Sequence, residues 1–144
     1  MSLFSVLSIG ASGMAAQRTR AEMLVQNLAN AETTRTPEGG PYRRQDVVFE
    51  AAPVVSPFAS MLEEETGTAQ GVAVSQVVTD QRDPERRYLP GHPDADRDGY
   101  VAFPRINPAE DMVDLIGAAR SYEANVAAIS AVKDMIQRSL DLFR

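Results

Sequence analysis

The sequence contains no cysteine and no tryptophan, and aromatic residues make up only 6% of its 144 positions. Without cysteine the chain can form neither disulfides nor thiolate zinc sites, and it cannot use a cysteine nucleophile. The low aromatic content argues against a large, densely packed core, although 44% hydrophobic residues exclude a wholly disordered chain. The length fits one domain of ordinary size.

Long apolar runs and an excess of basic charge are also missing. No apolar stretch reaches the roughly 18 residues that a membrane-spanning helix needs. The first residues, MSLFSVLSIGASGMAAQ, lack the basic start and the small-residue cleavage site of a secretory signal. A formal net charge of −6 counts against nucleic acid as a partner. We therefore expect no direct membrane insertion, no nucleic-acid binding and no cleaved signal peptide.

Recognisable catalytic motifs are absent as well. The sequence shows no phosphate-binding loop, no nucleophile motif and no pair of carboxylates in a catalytic context. Its single histidine, His92, has no second histidine with which to share a metal ion. We therefore expect no enzymatic activity, no cofactor and no metal site.

Both ends of the chain have a regular apolar spacing that the middle lacks. Steps that alternate between three and four residues give an average repeat of 3.5 over about four heptads, which predicts helices packed along one seam as a coiled coil. The predicted seams comprise Leu3, Leu7, Gly10, Met14, Gln17, Ala21, Leu24, Leu28 and Ala31 in the first helix and Met112, Leu115, Ala119, Tyr122, Val126, Ile129, Lys133, Ile136, Leu140 and Phe143 in the second.

Local signals define the inner ends of these helices. The first should end near residues 31–34, because TTRTPEGGP brings β-branched residues, prolines and glycines in quick succession. The second should begin with Asn107 as N-cap and Pro108 at the first helical position, followed by Glu110 and Asp111, which the helix dipole favours there. Within the second seam, Lys133 either extends to solvent or sets the register.

The middle of the chain, residues 35–106, holds eight of the nine prolines. It predicts short strands at residues 46–50, 72–79 and 100–103, with a mobile loop around the three glutamates at 63–65. The expected fold is mainly α with a small β part. Two long terminal helices, within residues 1–34 and 107–144, pair as an antiparallel coiled coil and form one discontinuous domain with an irregular, β-containing middle segment.

The stretch PDADRDGYV matches the first half of an EF-hand calcium loop, because Asp94, Asp96 and Asp98 alternate before Gly99. The twelfth loop position, where a bidentate glutamate normally completes the site, is Arg105. Flanking prolines also break the helices that such a loop requires. A tight turn with aspartates accepting backbone hydrogen bonds is the favoured interpretation, and a calcium-binding interaction module is the alternative.

Both predicted helices carry apolar residues outside their seams. A helix that is apolar over more than one stripe needs more than one neighbour. We therefore expect the termini to complete their core against other subunits and to be partly disordered in an isolated monomer. The additional apolar positions are Phe4, Val6, Ile9, Ala16, Met23 and Val25 in the first helix and Val113, Ile116, Gly117, Ala118, Ala124, Ala127, Ala128, Ala131 and Val132 in the second.

Several motifs resemble those of the bacterial flagellar basal-body rod and hook family. SGMAAQRTRAEMLVQNLANAETT, residues 12–34, is similar to the family's N-terminal helix, which ends in Asn-x-Ala-Asn. RSYEANVAAISAVKDMIQRSLDL, residues 120–142, is similar to its C-terminal helix, with an aromatic residue followed by x-Ala-Asn. Residues 40–51 and 90–116 most resemble a proximal rod member. The sequence departs from the family where Thr, Gly and Tyr commonly follow the Asn-Ala-Asn segment.

The resemblance implies a structural subunit of the flagellar rod that assembles through its terminal helices. Its implied partners are other copies of itself, other rod proteins and the flagellar type III export apparatus, which exports such proteins unfolded without signal cleavage. The implied location is the basal body, in the rod that spans the periplasm. A cytoplasmic coiled-coil chaperone or secretion cofactor is a further alternative.

The residues expected to act in assembly belong to the two helices. Asparagines from the family motifs either form hydrogen bonds that cap or cross-link helices at subunit contacts or are simply polar surface residues. The asparagines are Asn27, Asn30 and Asn125, and the residues expected to pair the helices are Leu7, Met14, Leu24, Leu28, Leu115, Tyr122, Ile129, Ile136 and Leu140.

Overall fold

The computed structural model describes residues 3–53 and 69–142. The predicted fold class, mainly α with a small β part, is confirmed. The predicted loop at residues 63–65 and the last seam position, Phe143, lie outside the described residues. The elements in chain order are α1 (Leu3–Ala29), β1 (Gln45–Pro53), β2 (Gln70–Thr79), β3 (Glu85–Tyr88), β4 (Tyr100–Phe103) and α2 (Pro108–Asp141).

The strands form two antiparallel hairpins, β1 with β2 and β3 with β4. A bulge at Ser75 interrupts the first hairpin, and its hydroxyl donates to the carbonyl of Val48 at 3.3 Å. Both strands of this hairpin pack against α1. The sequence did not predict β3, because its four residues, ERRY, are all exposed and show no apolar alternation.

The two helices pack side by side in opposite directions. Gly10 lies against Ile129, Gly13 lies against Asn125, and Arg20 approaches Asp114 to 3.7 Å. Residue numbers therefore rise along α1 while they fall along α2, as an antiparallel pair requires. A Cβ atom added at Gly10 would lie 2.9 Å from Cγ1 of Ile129, so glycine allows the helices to approach closely there.

The inner ends of the helices follow the local signals. Asn107 is the N-cap of α2, where its side-chain oxygen accepts a hydrogen bond from the amide of Ala109 at 3.2 Å, and Pro108 begins the helix. Helix α1 ends at Ala29, slightly earlier than predicted. Beyond it, the amide of Asn30 still donates to the carbonyl of Gln26 at 3.1 Å.

The predicted seam of α1 lies on the side that meets α2. Leu24 is buried, and the other seam residues from Leu7 to Ala31 are half-buried. The predicted seam of α2 is wrong at alternate positions, because Met112 and Val126 are 55% and 41% exposed and Ala119 and Lys133 are exposed as well. The residues that line α1 instead stand one position earlier, namely Asp111, Ala118, Asn125 and Val132.

The shift has a physical reason. Both spacings average 3.5 residues and share the positions of Leu115, Tyr122, Ile129 and Ile136. Tyr122 is 41% exposed, and the other three are half-buried. Hydrophobicity favoured Met112 and Val126 over their neighbours Asp111 and Asn125. The structure gives both polar side chains a place, because Asp111 pairs with Arg44 and Asn125 packs against the glycine at position 13.

Leu140 needs a correction as a residue that pairs the helices within the chain. Because Gly10 lies opposite Ile129, Leu3 at the start of α1 falls opposite Ile136. The last turn of α2 therefore extends beyond the start of α1, and Leu140 is 64% exposed. Any apolar partner of Leu140 would have to come from outside the helix pair.

Candidate assembly surface

Asn27, on α1, connects this helix to the beginning of β1. It is fully buried. Its side-chain amide donates to the carbonyl of Gln45 at 2.8 Å, while its oxygen accepts from the amide of Gln45 at 2.9 Å and from the Tyr42 hydroxyl at 3.0 Å. A side-chain amide that pairs with both backbone groups of Gln45 acts like the backbone of a neighbouring strand.

Asp111, in the first turn of α2, is held from the same segment of chain. It is only 1% exposed, and its Oδ1 accepts from Arg44 at 2.9 Å (Nη2) and 3.3 Å (Nε). The Arg44 guanidinium also binds Asp46. Residues 42–45 thus reach both helices at once. We call the group formed by Asn27, Tyr42, Arg44, Gln45 and Asp111 the polar clamp.

Burial and charge shift two titratable groups of the polar clamp. Burial raises the pKa of the Tyr42 hydroxyl, and the nearby negative charge of Asp111 raises it further. Burial alone would lower the pKa of the Arg44 guanidinium, but its hydrogen bond to Asp111 and the charge of Asp46 outweigh burial and raise it. Arg44 therefore stays cationic and Tyr42 stays a hydrogen-bond donor.

Sequence reasoning missed Tyr42 and Arg44 and gave Asp111 only a role in the helix dipole. Arg44 and Asp111 are 67 residues apart, so no local pattern joins them. The sequence did offer one signal. Asp111 stands four residues before the seam residue Leu115 and therefore lies on the same side of the helix.

The other two predicted asparagines also bind within their own chain. The side-chain amide of Asn30 donates to the carbonyl of Gln26 at 2.9 Å, and its oxygen accepts from the Thr33 hydroxyl at 3.2 Å, which caps the end of α1. The side-chain amide of Asn125 donates to the carbonyl of Ser121 at 3.0 Å.

The side of α2 that faces away from α1 is mostly apolar, with three charged residues along its length. Large side chains there are well exposed, with Val113 at 69%, Ile116 at 54%, Met135 at 55% and Leu142 at 86%. Among the described elements α2 packs only against α1, so neither hairpin covers this side. We call it the outer face; it consists of Val113, Ile116, Gly117, Arg120, Ala124, Ala127, Ala128, Ala131, Asp134, Met135, Arg138 and Leu142.

The outer face is an unusual surface for a monomer. It extends for about 45 Å at the 1.5 Å rise per residue of an α-helix. Soluble monomers rarely expose a largely apolar strip of this length, and such a strip marks a contact with another molecule. Across residues 3–53 and 69–142 neither helix is long and apolar enough to span a membrane.

The aspartate-rich segment forms a tight turn. Oδ1 of Asp96 accepts from the amides of Asp98 and Tyr100 at 3.0 and 2.8 Å, and Gly99 has a φ of +83°. Asp94 accepts from the hydroxyl of Thr34 at 2.8 Å. In the described part of the chain no group of three or more metal-ligating side chains comes together. The turn interpretation is confirmed, and the calcium alternative has no support.

Known proteins match this chain from end to end. A family model described as flagellar basal body rod FlgEFG protein C-terminal matches residues 97–142. Flagellar basal-body rod protein FlgC of Borreliella burgdorferi is 39% identical, with 100% of this chain and 99% of the relative covered. The FlgC proteins of Bacillus subtilis (39%; 99% and 99%) and Salmonella typhimurium (38%; 99% and 98%) are similar over the same extent. The chain belongs to the FlgC family of flagellar basal-body rod proteins.

The family predicted from the sequence motifs is thereby confirmed. The region matched by the family model contains β4 and all of α2, and therefore includes the whole outer face. Members of the FlgC family carry the name of a rod protein and not of an enzyme.

Proposed function

We propose that this FlgC-family chain is a structural subunit of the flagellar basal-body rod and that its terminal helices carry the assembly contacts. The observation that supports this most strongly is the outer face, an exposed apolar strip along α2 in a protein whose relatives are named rod proteins. Its partners in this proposal are other copies of itself and other rod proteins. Rotor torque would pass along these contacts to the hook.

The two helices of the pair expose different surfaces, and this determines the symmetry of the proposed contact between subunits. The outer face of one subunit packs against the exposed side of another subunit's α1, so each subunit uses two different surfaces. Repeated contacts of this head-to-tail kind build an open helical filament when the rotation does not close. A shaft such as the rod needs this kind of symmetry.

Apart from Asn27, which belongs to the polar clamp, the predicted assembly residues divide into three groups in this proposal. Most hold the helix pair together inside one subunit, and they are Leu7, Met14, Leu24, Leu28, Leu115, Ile129 and Ile136. Tyr122 and Leu140 are 41% and 64% exposed and would contact neighbouring subunits. Asn30 would hold the end of α1, and Asn125 the contact between the helices, in the conformation that the neighbouring subunits bind.

We also infer that the chain reaches the basal body through the type III export apparatus without loss of a signal peptide, as an unfolded polypeptide. The polar clamp is compatible with this route, because it joins residues of α1, the segment before β1 and α2, and can close only when α2 is present. The mature location would be the rod, across the periplasm.

A substitution at the centre of the outer face tests the assembly proposal. In a strain that lacks the natural gene, Ala127→Glu should abolish swimming and leave no complete rods in basal-body preparations, because it puts a charge into a contact that excludes water. Ala51→Glu, at an exposed position of β1, is the matched control and should swim normally. Normal rods with Ala127→Glu would remove the outer face from assembly.

Fractionation distinguishes the structural role from that of a chaperone. A rod subunit should copurify with basal bodies after the cytoplasm is washed away. A protein found only in the cytoplasmic fraction would contradict the proposed role.

A further inference from the structure

The outer face carries charged side chains that have no partner among the residues that the structure describes. Arg120 and Asp134 are both exposed. Neither side chain forms a hydrogen bond or an ion pair with another described residue. They flank a central strip of small side chains, Ala124, Ala127 and Ala131, so opposite charges stand on either side of an apolar centre.

These residues are arranged symmetrically about the middle of the helix. Arg120 and Asp134 are equally far from Ala127 along the sequence. Six other outer-face residues pair about nearly the same midpoint, Ala124 with Ala131, Gly117 with Arg138 and Val113 with Leu142. A helix with such a pattern is complementary to a second copy of itself that runs in the opposite direction.

We propose that the free protein forms a two-fold dimer in which the outer faces of two α2 helices pack antiparallel, with Ala127 at the centre. Arg120 of each copy then faces Asp134 of the other, which makes two equivalent ion pairs. The alanines allow the helix axes to approach closely, because interaxial distance depends on the size of the side chains at the contact. Val113 and Leu142 close the two ends.

Charge excludes the parallel alternative. In a parallel two-fold pair each residue meets its own equivalent, so Arg120 would face Arg120 and Asp134 would face Asp134. Like charges at such positions destabilise a helix pair. The antiparallel arrangement also sets the positive end of each helix dipole beside the negative end of the other.

The rest of the fold leaves room for this contact. The hairpin of β1 and β2 packs on α1, and no described strand packs on α2. Two copies can therefore approach through α2 without moving either hairpin. The dimer would cover the strip that rod assembly is proposed to use, so it would keep free subunits from assembling early.

Single cysteines test the geometry directly, because the natural chain has none. Ala127→Cys should form a disulfide-linked dimer under mild oxidation at least tenfold faster than the control Ala15→Cys, an exposed alanine of α1. A mixture of Ala124→Cys and Ala131→Cys proteins should yield mainly the mixed dimer. Cross-linking of each variant mainly with itself, or no faster than the control, would overturn the proposal.

Charge reversal tests the two ion pairs in solution. By sedimentation equilibrium of the full chain, Asp134→Arg should raise the dimer dissociation constant about tenfold, and Arg120→Asp should do the same. The double variant should recover the affinity of the natural chain. Glu38→Arg, an equal change of charge in an exposed loop, should leave it unaltered. A monomer at every concentration, or single variants that dimerise normally, would overturn the dimer.

Failure of the dimer would not touch the proposed function. A chain that stays monomeric in solution but still rescues swimming and appears in basal bodies would be a rod subunit without this resting state. A chain that dimerises but never rescues swimming would keep the dimer and lose the rod function.

Discussion

The two ends of the helix pair are held by different kinds of contact. At the inner end, where α1 finishes and α2 begins, buried polar side chains join both helices to the segment before β1. At the outer end, Gly10 and Ile129 bring the helices into direct apolar contact, and the last turn of α2 extends beyond its partner. The inner end is thus braced by a segment that binds both helices. At the outer end the amide of Val72 in β2 donates to the Ser12 hydroxyl at 3.1 Å, so among the described residues the strand holds α1 alone.

The two ends therefore depend on neighbouring subunits to different degrees. A single subunit can fix the geometry of the inner end, whereas the outer end gains stability from neighbours. Buried hydrogen bonds and ion pairs fix one geometry, because each misplaced partner leaves a polar group unsatisfied. Apolar helix surfaces tolerate small shifts and gain stability from any further surface that covers them. We therefore expect the inner end to stay ordered in the free chain and the outer end to order fully on association.

The largest expected effect comes from breaking the polar clamp at Asp111. Asp111→Ala leaves the partly buried guanidinium of Arg44 with only the exposed Asp46 and should lower the free energy of unfolding by about 3 kcal/mol. Urea unfolding followed by far-ultraviolet circular dichroism measures the change.

A nearby carboxylate supplies the control for this prediction. Asp114 lies one turn further along α2, is half-exposed, and stands 3.7 Å from Arg20. Asp114→Ala should cost at most about 0.5 kcal/mol, because exposed ion pairs contribute little. Equal losses for the two variants would mean that the inner end is not braced by the clamp.

Asn27 offers the next largest effect, on the α1 side of the same end. Asn27→Ala removes the partner of both backbone groups of Gln45 and of the Tyr42 hydroxyl, and should cost about 2 kcal/mol. Asn30→Ala, which loses bonds at the more exposed helix end, should cost about 0.5 kcal/mol. Hydrogen exchange of the Gln45 amide should speed up only in the first variant.

The sequence was most informative where one local rule applies. Heptad spacing predicted both helices, and the N-cap at Asn107 and the turn at Gly99 followed from side-chain chemistry within a few residues. The same spacing could not choose between Met112 and Asp111 for the seam. That choice depends on Arg44, which only the folded chain brings near.

The same limit applies to the candidate site. Surplus apolar residues on α2 were visible from the sequence, and most of those predicted to lie off the seam are exposed on the outer face. Ala118 and Val132 are the exceptions, because they pack against α1 inside the chain. Neighbouring residues such as Ala118 and Ala119 can lie on opposite sides of a helix, and the sequence alone does not show which of them faces the partner helix. In this fold the close approach of α2 to Gly10 and Gly13 determines which side is buried.

Substitutions at two glycines, one on the exposed side of a helix and one at the helix contact, should have smaller and opposite effects on stability. Gly117, on the outer face, has nothing within 4 Å of an added Cβ, so Gly117→Ala should raise the free energy of unfolding by about 1 kcal/mol through helix propensity. Gly10→Ala should lower it by about 1 kcal/mol, because the methyl group meets Ile129. In an Ile129→Ala background, Gly10→Ala should become stabilising, which a double-mutant cycle in urea would measure.

The smallest effect is a loss of stability at alkaline pH that belongs to the inner end alone. The pKa of Tyr42 is raised above its usual 10.0, first by burial and then by the charge of Asp111, so the folded state holds this proton more tightly than the unfolded state. Its contribution to stability is complete below pH 10 and is lost as the pH rises through the folded pKa. Tyr42→Phe should remove this pH-dependent loss, while Tyr88→Phe, at a 64% exposed position, should keep it. Parallel unfolding curves for all three proteins above pH 10 would show that Tyr42 ionises as freely in the folded chain as in the unfolded one.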